Sequence, residues 1–387
     1  MRVLFLCRNS FEKTAGGVVE YLHYLPPALR ALGIEILYYA MGNELDDTLQ
    51  GPHLLPNGVP AYSGPVIKPG WFVARNKLTA LEQLCRSEKI DLVHAQGTYR
   101  SGFVARKLFQ KMQIPYVVMS HGDVVTTNSS RMQRGSVQRR CQHILRDATG
   151  VIHLTPMMAE ASHALCDARQ KSVVIGNGID LQSFAGLDTS EQDYMLAIGR
   201  LEREKGFHVL VDVYAALRQQ DVRTSLVIAG TGSQAQALQT QARALGLTVI
   251  TELPALSAIP PASIVFTGYV KGEVKCQLIS QCKLMLFPTQ PAQWDEPFGI
   301  VQIEAMAAGK ALVASDSPVT RYLQTKGLQA SLVRADDIAG WTAQIGELLF
   351  DPALRKTAGD MNLQHVDQFD WQPIAVQYRD FYRNILI

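Results

Sequence analysis

A short apolar run followed by a helical pattern recurs along this chain, and that alternation restricts its fold more than any single residue does. RVLFLC opens the sequence; IEILYYAM, IDLVHAQ, PYVVMSHGD, TGVIHLT and SVVIGNGID follow, and YMLAIGR, SLVIAGTGS and IVFTGYVKGEV repeat the pattern in the second half. Apolar runs this short, bounded by turn residues, read as buried strands. Strands separated by helical stretches imply βαβ units and a parallel sheet covered by helices. At 387 residues the chain exceeds one ordinary core, so two α/β domains of roughly 150 to 200 residues each are expected. The turn at Asn177, Gly178 and Asp180, followed by the polar LQSFAGLDTSEQD, marks the boundary. Residues 1–182 are expected to form the first domain and 183–369 the second.

Composition excludes several classes. Hydrophobic residues at 47% and charged residues at 19% suit a globular protein with large cores. No window holds about 18 uninterrupted apolar residues, so no membrane-spanning helix is expected. The run in MRVLFLCRNS is too short for a signal peptide and no small-residue cleavage site follows it. The cysteines at 7, 85, 141, 166, 276 and 282 form no CxxC pair and lie in apolar segments. They read as reduced core residues of a cytoplasmic protein. Net charge is only +2, but the first half is basic and the second acidic, which suggests that the first half meets something anionic.

Candidate positions follow in chain order. Gly16-Gly17 open a helix after the first strand, where glycine lets a backbone approach a phosphate or merely saves space. Pro26-Pro27 are expected to break or kink that helix, and a polar excursion runs from Gly42 to Gly70. A helix is expected from about Phe72 to Ser87 and a basic one from about Arg100 to Met112. His121 sits just past a strand's carboxyl end, where open α/β sheets place their ligands. Between Arg131 and Arg146 lie five arginines and no acid, with apolar residues at helical spacing. This is either a solvated helix face or a surface for anionic lipid headgroups or a phosphorylated acceptor. Nucleic acid fits less well, because no stacking aromatics are interleaved.

In the second half, Arg200 ends a strand and Lys205 is read as beginning a helix, where two cations could neutralise a diphosphate. The Gly-x-Gly of AGTGS is weak evidence for a nucleotide by itself. The stretch KLMLFPTQPAQWDEPFGIVQIEAMAAGKALVASDSPV reads strand, loop, helix, strand, the helix starting near Ile300 and stopping at Gly309. Glu296 and Glu304 flank the start of that helix. Amides at a helix N-terminus bind anions, and carboxylates accept from sugar or ribose hydroxyls.

These residues resemble the retaining glycosyltransferases of the large family numbered four, which adopt the GT-B fold. The match runs through the glycine turn, the HG pair at His121, GNGID, GRLEREKG, AGTGS, FTGYV and EPFGIVQIEAMAAGK. Two glutamates separated by seven residues are its most specific part. The resemblance implies two Rossmann-like domains facing across a cleft, an acceptor-binding one and a donor-binding one. The helix from about 370 to 387 would cross back onto the first, with Trp371, Phe381 and Tyr382 as core anchors. It implies that Glu304 accepts from the ribose of a nucleotide sugar and that Glu296 faces the transferred sugar. Backbone amides of Phe298, Gly299, Ile300 and Val301 would hold sugar and phosphate. Arg200 and Lys205 would hold the diphosphate, Gly16 and Gly17 would approach it, and His121 would lie near the reacting carbon.

A UDP- or GDP-sugar of glucose or mannose type is thus the expected donor. A glycan or lipid-linked acceptor of bacterial envelope assembly is expected, with possible peripheral contact to anionic membrane. No DxD sequence or ligand-spaced cluster occurs, so no metal is expected. The expected chemistry is front-face displacement, in which the departing phosphate oxygen takes the acceptor proton; a covalent intermediate on Glu296 is the competing route. A sugar-nucleotide epimerase, a phosphorylase or an inactive sugar-nucleotide sensor are the alternatives.

Overall fold

The computed structural model describes residues 1–8, 17–43, 49–69, 75–122, 132–293 and 296–386. The chain divides into two compact units, 1–178 with 369–387, and 179–368. The boundary expected at 182 falls inside a 3-10 turn, Leu181–Phe184, just past this division.

The first unit holds β1 (Arg2–Cys7), α1 (Gly17–Ala31), β2 (Glu35–Asn43), β3 (Gln50–Leu54), β4 (Pro60–Pro65), α2 (Arg75–Ser87), β5 (Leu92–Gln96), α3 (Arg100–Met112) and β6 (Tyr116–Met119). α4 (Gly135–Asp147), β7 (Gly150–His153), α5 (Pro156–Leu165) and β8 (Ser172–Val174) follow. Its sheet runs β3-β4-β2-β1-β5-β6-β7-β8. Every pairing is parallel except β3 with β4. β5, β6 and β7 are buried at every residue, as strands covered on both faces must be, which is why they read as continuous apolar runs.

Two expectations are corrected here. The excursion between 42 and 70 contains β3 and β4, whose polar and Pro-containing sequences, QGPHL and PAYSGP, give no strand pattern but pair at the sheet's edge. Of the break or kink expected at Pro26-Pro27, the break does not occur: α1 runs through both prolines. Pro26 and Pro27 leave the carbonyls of Leu22 and His23 without their helical donors. Asn57 Nδ2 donates to both, at 3.1 and 3.0 Å, and the Tyr38 hydroxyl donates to Leu22. A side chain from a distant turn thus replaces the bonds that proline removes.

The second unit holds β9 (Tyr194–Ile198), α6 (Phe207–Gln219), β10 (Ser225–Ala229), α7 (Ala235–Ala244), β11 (Thr248–Ile250), β12 (Ser263–Gly268), α8 (Gly272–Gln281) and β13 (Leu284–Phe287). α9 (Ile300–Ala307), β14 (Leu312–Ser315), α10 (Pro318–Gln324), β15 (Ala330–Val333), α11 (Ile338–Phe350) and α12 (Pro352–His365) complete it. Its sheet, β11-β12-β10-β9-β13-β14-β15, is parallel throughout. Strand order reverses direction at β9, so the loops after β9 and β13 leave the sheet side by side, the position where such sheets bind ligands.

The last helix, α13 (Trp371–Ile385), returns to the first unit. Trp371 packs on Tyr21 and Tyr24 of α1, with ring centroids 6.1 and 6.3 Å apart. Phe381 lies against Gly150, and Tyr382 is fully buried. All six cysteines are free, and five are buried; burial pushes the Cys7 thiol up to about 12. Among the described residues, no helix is long and apolar enough to cross a membrane.

Candidate active site

In the second unit the loop after β9 does not place Lys205 at a helix start. Arg203–Lys205 form a 3-10 turn that ends at Gly206, and α6 begins only at Phe207. Lys205 therefore does not oppose a helix dipole. It donates to the carboxylate of Glu296, and the side chains of the pair are 15% and 11% exposed. Gly206 makes the meeting possible. Its φ of 74° lies in the left-handed region, and a Cβ there would collide with the Pro288 carbonyl and sit 2.8 Å from Gln290 Nε2. The 203–206 turn thus rests directly on the exit of β13. Gln290 laces the two together: its backbone N–H donates to the Glu204 carbonyl at 2.9 Å, and its side chain donates to Pro288 at 3.1 Å.

Arg200 remains apart from this pair. Its side chain is 60% exposed, with Glu204 3.7 Å away, so most of its guanidinium is open to an anionic ligand. Gly299 caps α9 in the left-handed conformation with no side-chain cap, and Phe298 is buried beside it. Ile300 and Val301 supply first-turn amides that have no helical acceptor by position. Asp295 and Trp294 lie outside the described residues.

Glu304, one turn further along α9, is 4% exposed overall. Lys275 of α8 donates to its Oε1 at 2.7 Å, which leaves the second carboxylate oxygen as an acceptor for a hydroxyl. Lys275 was missed in the sequence, although the second Lys of KGEVKC, on the helix before β13, was the available signal. The site therefore contains two carboxylate–lysine pairs on either side of one helix N-terminus, with the exposed Arg200 beside them. This arrangement presents acceptors to hydroxyls and donors to phosphate within a partly desolvated region.

The glycines of AGTGS have another task. A Cβ on Gly230 would fall on the Gly199 carbonyl, and Thr231 and Gln234 bond the backbone of Leu201 at 2.8 Å each. They let the loops after β9 and β10 touch, which supports the Arg200 loop.

In the first unit, Gly17 is the first residue of α1, and Gly16 lies outside the described residues. His121 sits two residues past β6. Its Nε2 bonds Gln96 Oε1 at 2.8 Å, and the Tyr21 ring meets it edge-on at 4.9 Å. Desolvation pushes its pKa down to about 4. Next to it on β5, His94 is fully buried, bonds the Tyr382 hydroxyl at 2.6 Å and is pushed to about 3 by burial and by His121. α13 thus reaches the surroundings of His121 through Tyr21 and Tyr382.

α4 buries Val137, Cys141, Ile144 and Leu145, so its apolar stripe belongs to the core. Arg140 bonds the Tyr99 hydroxyl at 2.8 Å and lies over the Phe103 ring. Arg134, Arg139 and Arg146 are exposed, and Arg131 lies outside the described residues. The apolar stripe of this helix thus faces the core, and the exposed arginines form a basic solvent-facing side. Among the described residues, no group of three His, Cys, Asp or Glu is arranged to hold a metal.

Comparison with known proteins places these features in a family. The "Glycosyl transferase 4-like domain" model matches residues 16–178 and the "Glycosyl transferases group 1" model matches 179–363. A glycogen synthase of Mycobacterium tuberculosis is 25% identical, over 99% of this chain and 94% of its own length. A phosphatidyl-myo-inositol mannosyltransferase of Mycolicibacterium smegmatis is 25% identical over 100% and 94%. Among solved structures, HepE of Anabaena in complex with UDP matches with a TM-score of 0.78 at 20% identity, covering 99% of this chain and 100% of that one. Sucrose-phosphate synthase of Thermosynechococcus elongatus matches at 0.75 with 21% identity, over 100% and 99%. Two α/β units with largely parallel sheets, the two glutamates Glu296, ahead of α9, and Glu304, within it, and both family models together identify this chain as a GT-B glycosyltransferase of the group 1, family-four type.

Proposed function

We propose that this protein transfers a hexose of glucose or mannose type from a UDP- or GDP-sugar to a hydroxyl of a glycan or lipid-linked acceptor, with retention of configuration and without a divalent metal. The observation that carries the reading is the pair of carboxylate–lysine contacts flanking the N-terminus of α9. Relatives support it. HepE was solved with UDP-glucose, and a relative of Komagataeibacter xylinus, 24% identical over 100% of this chain and 94% of its own, is a GDP-mannose:cellobiosyl-diphosphopolyprenol alpha-mannosyltransferase.

In this account Glu304 takes the ribose hydroxyls, and Glu296 orients the hydroxyls of the transferred sugar. Lys205 has N–H groups beyond the one given to Glu296, and these, with Arg200 and the amides of 298–301, receive the negative charge that develops on the leaving phosphate. Two cations and a helix N-terminus supply the charge a metal would otherwise bring. The departing phosphate oxygen takes the acceptor proton, which preserves anomeric configuration without a strong protein base. His121, held neutral, serves the acceptor side. The first unit's exposed arginines bring an anionic or lipid-linked acceptor within reach at the cytoplasmic face of a bacterial membrane, in envelope polysaccharide assembly.

The test is release of nucleoside diphosphate from UDP-glucose and GDP-mannose by the purified protein, with and without a polyprenyl-diphosphate saccharide, in chelator. Acceptor-dependent release with an α-linked product supports the reading; inversion, or full dependence on added Mg or Mn, contradicts it.

A further inference from the structure

Gln96 is the last residue of β5 and is only 8% exposed, yet nothing in the function so far uses it. Its Oε1 lies 2.8 Å from His121 Nε2. An amide oxygen can only accept, so the proton of that hydrogen bond belongs to the imidazole. A neutral imidazole carries one ring proton; placing it on Nε2 leaves the lone pair on Nδ1. The ring is constrained from a second side by Tyr21, whose edge-on contact at 4.9 Å is backed by Trp371 and Tyr378 of α13 at 6.1 and 6.0 Å. Gln96 is itself anchored, because its backbone carbonyl accepts from the Ser101 hydroxyl at 3.3 Å.

We propose that Gln96 is a positioning residue that fixes His121 as its Nε2–H tautomer, so that Nδ1 is the atom that accepts a hydrogen bond from a substrate hydroxyl. The functional part rests on the acceptor-side role of His121 given above; the tautomer itself does not. The hydroxyl so held is a non-reacting one of the acceptor, which keeps its proton; the attacking hydroxyl is a different one and gives its proton to the leaving phosphate oxygen, so no proton is lodged on His121. The low basicity of this ring agrees with an acceptor of hydrogen bonds rather than a proton carrier. Substrate hydroxyls are both donors and acceptors, so presenting a bare nitrogen in place of an N–H selects which way the hydroxyl's proton points. The hydrogen bond made by one ring nitrogen sets the state of the other, so an orienter can act on the reaction without touching substrate.

Histidine ring nitrogens of the 15N-labelled full-length protein can be read by two-bond 1H–15N correlation at pH 7, with His121 assigned through His121→Gln. The wild type is expected to show a protonated Nε2 and a bare Nδ1. Gln96→Leu should move His121 toward a mixed tautomer and lower kcat on the order of ten-fold, the worth of one hydrogen bond, with donor KM unchanged. Gln96→Glu keeps an acceptor and should keep the Nε2–H form. A proton on Nδ1 in the wild type, or a Gln96→Leu spectrum identical to wild type, overturns the proposal. Full transfer by His121→Gln overturns the acceptor-side role, and that result is read from activity rather than from the spectrum.

Discussion

Lys205 and Glu296 lie 91 residues apart in the chain and meet as a hydrogen-bonded ion pair. The contact depends on two loops, after β9 and after β13, pressed together at Gly206 and Pro288. If Lys205 receives phosphate charge in the transition state, Lys205→Met should lower kcat/KM by about 10²- to 10³-fold, the cost of losing one aimed donor. Glu296→Gln should lower kcat without a comparable change in affinity for the free nucleoside diphosphate. Steady-state kinetics beside nucleotide titrations check both, and equal losses of nucleotide affinity in the two variants would contradict the division of roles.

In the Lys275–Glu304 pair the carboxylate is the more deeply buried of the two glutamates, 6% exposed against 11% for Glu296. Removing the lysine alone leaves a carboxylate buried without its partner, so Lys275→Met should cost on the order of 3 kcal/mol. Adding Glu304→Gln should recover part of that loss. Urea midpoints for the wild type, both single variants and the double variant form the cycle; strictly additive losses would show that the pair is not coupled.

Gly206→Ala tests the loop contact. A methyl at this left-handed position meets the Pro288 carbonyl and the Gln290 amide, so the turn must shift and take Lys205 with it. Activity should fall by on the order of 100-fold, the cost of a misplaced catalytic group, together with a lowered melting temperature. A variant with wild-type turnover would refute the claim that this packing aligns the pair.

The sequence showed the architecture readily because buried parallel strands are continuous apolar runs and their turns carry glycine. Glu296, Glu304 and Arg200 were legible for a related reason: each lies within one residue or one helical turn of such a turn. What was hidden depends on contacts distant in sequence. Lys275 gains its meaning only when α8 packs beside α9, and Gln96 only when β5 and β6 pair. Lys205 was misread as a helix start because a 3-10 turn and an α-helix share the same charged, Gly-terminated pattern. The continuity of α1 through Pro26-Pro27 could not be read locally, since Asn57, which replaces the lost donors, lies more than thirty residues away.

Acid should destabilise the first unit. His94 and His153 are both buried, and burial holds them near 3 and 4, below the value of about 6.5 expected in the unfolded chain. Between those limits the unfolded chain binds more protons. Stability is therefore fully present above about pH 6.5 and falls as pH drops, by up to ~1.4 kcal/mol per pH unit for each histidine. Urea midpoints at pH 7.5, 6 and 5 for the wild type and His153→Asn should show a shallower slope in the variant; identical slopes would contradict the assignment.

The exposed arginines of α4 predict a purely electrostatic membrane contact, because the helix's apolar stripe is buried. Sedimentation with vesicles containing anionic lipid should detect binding at low salt that disappears near 0.5 M, where screening lengths fall to a few Å. Replacing Arg139 and Arg146 with Gln should weaken it. Binding that persists in high salt would require apolar insertion instead.

The central claim is that the second unit holds a nucleoside diphosphate sugar through Glu304, Glu296, Lys205 and Arg200. Isothermal titration of the wild type and of Glu304→Ala with UDP, GDP and their glucose and mannose sugars tests it directly. The account predicts saturable one-site binding of at least one of these by the wild type, weakened at least ten-fold in Glu304→Ala, about 1.4 kcal/mol. Undiminished binding by Glu304→Ala, or no binding of any of them by the wild type, would contradict it.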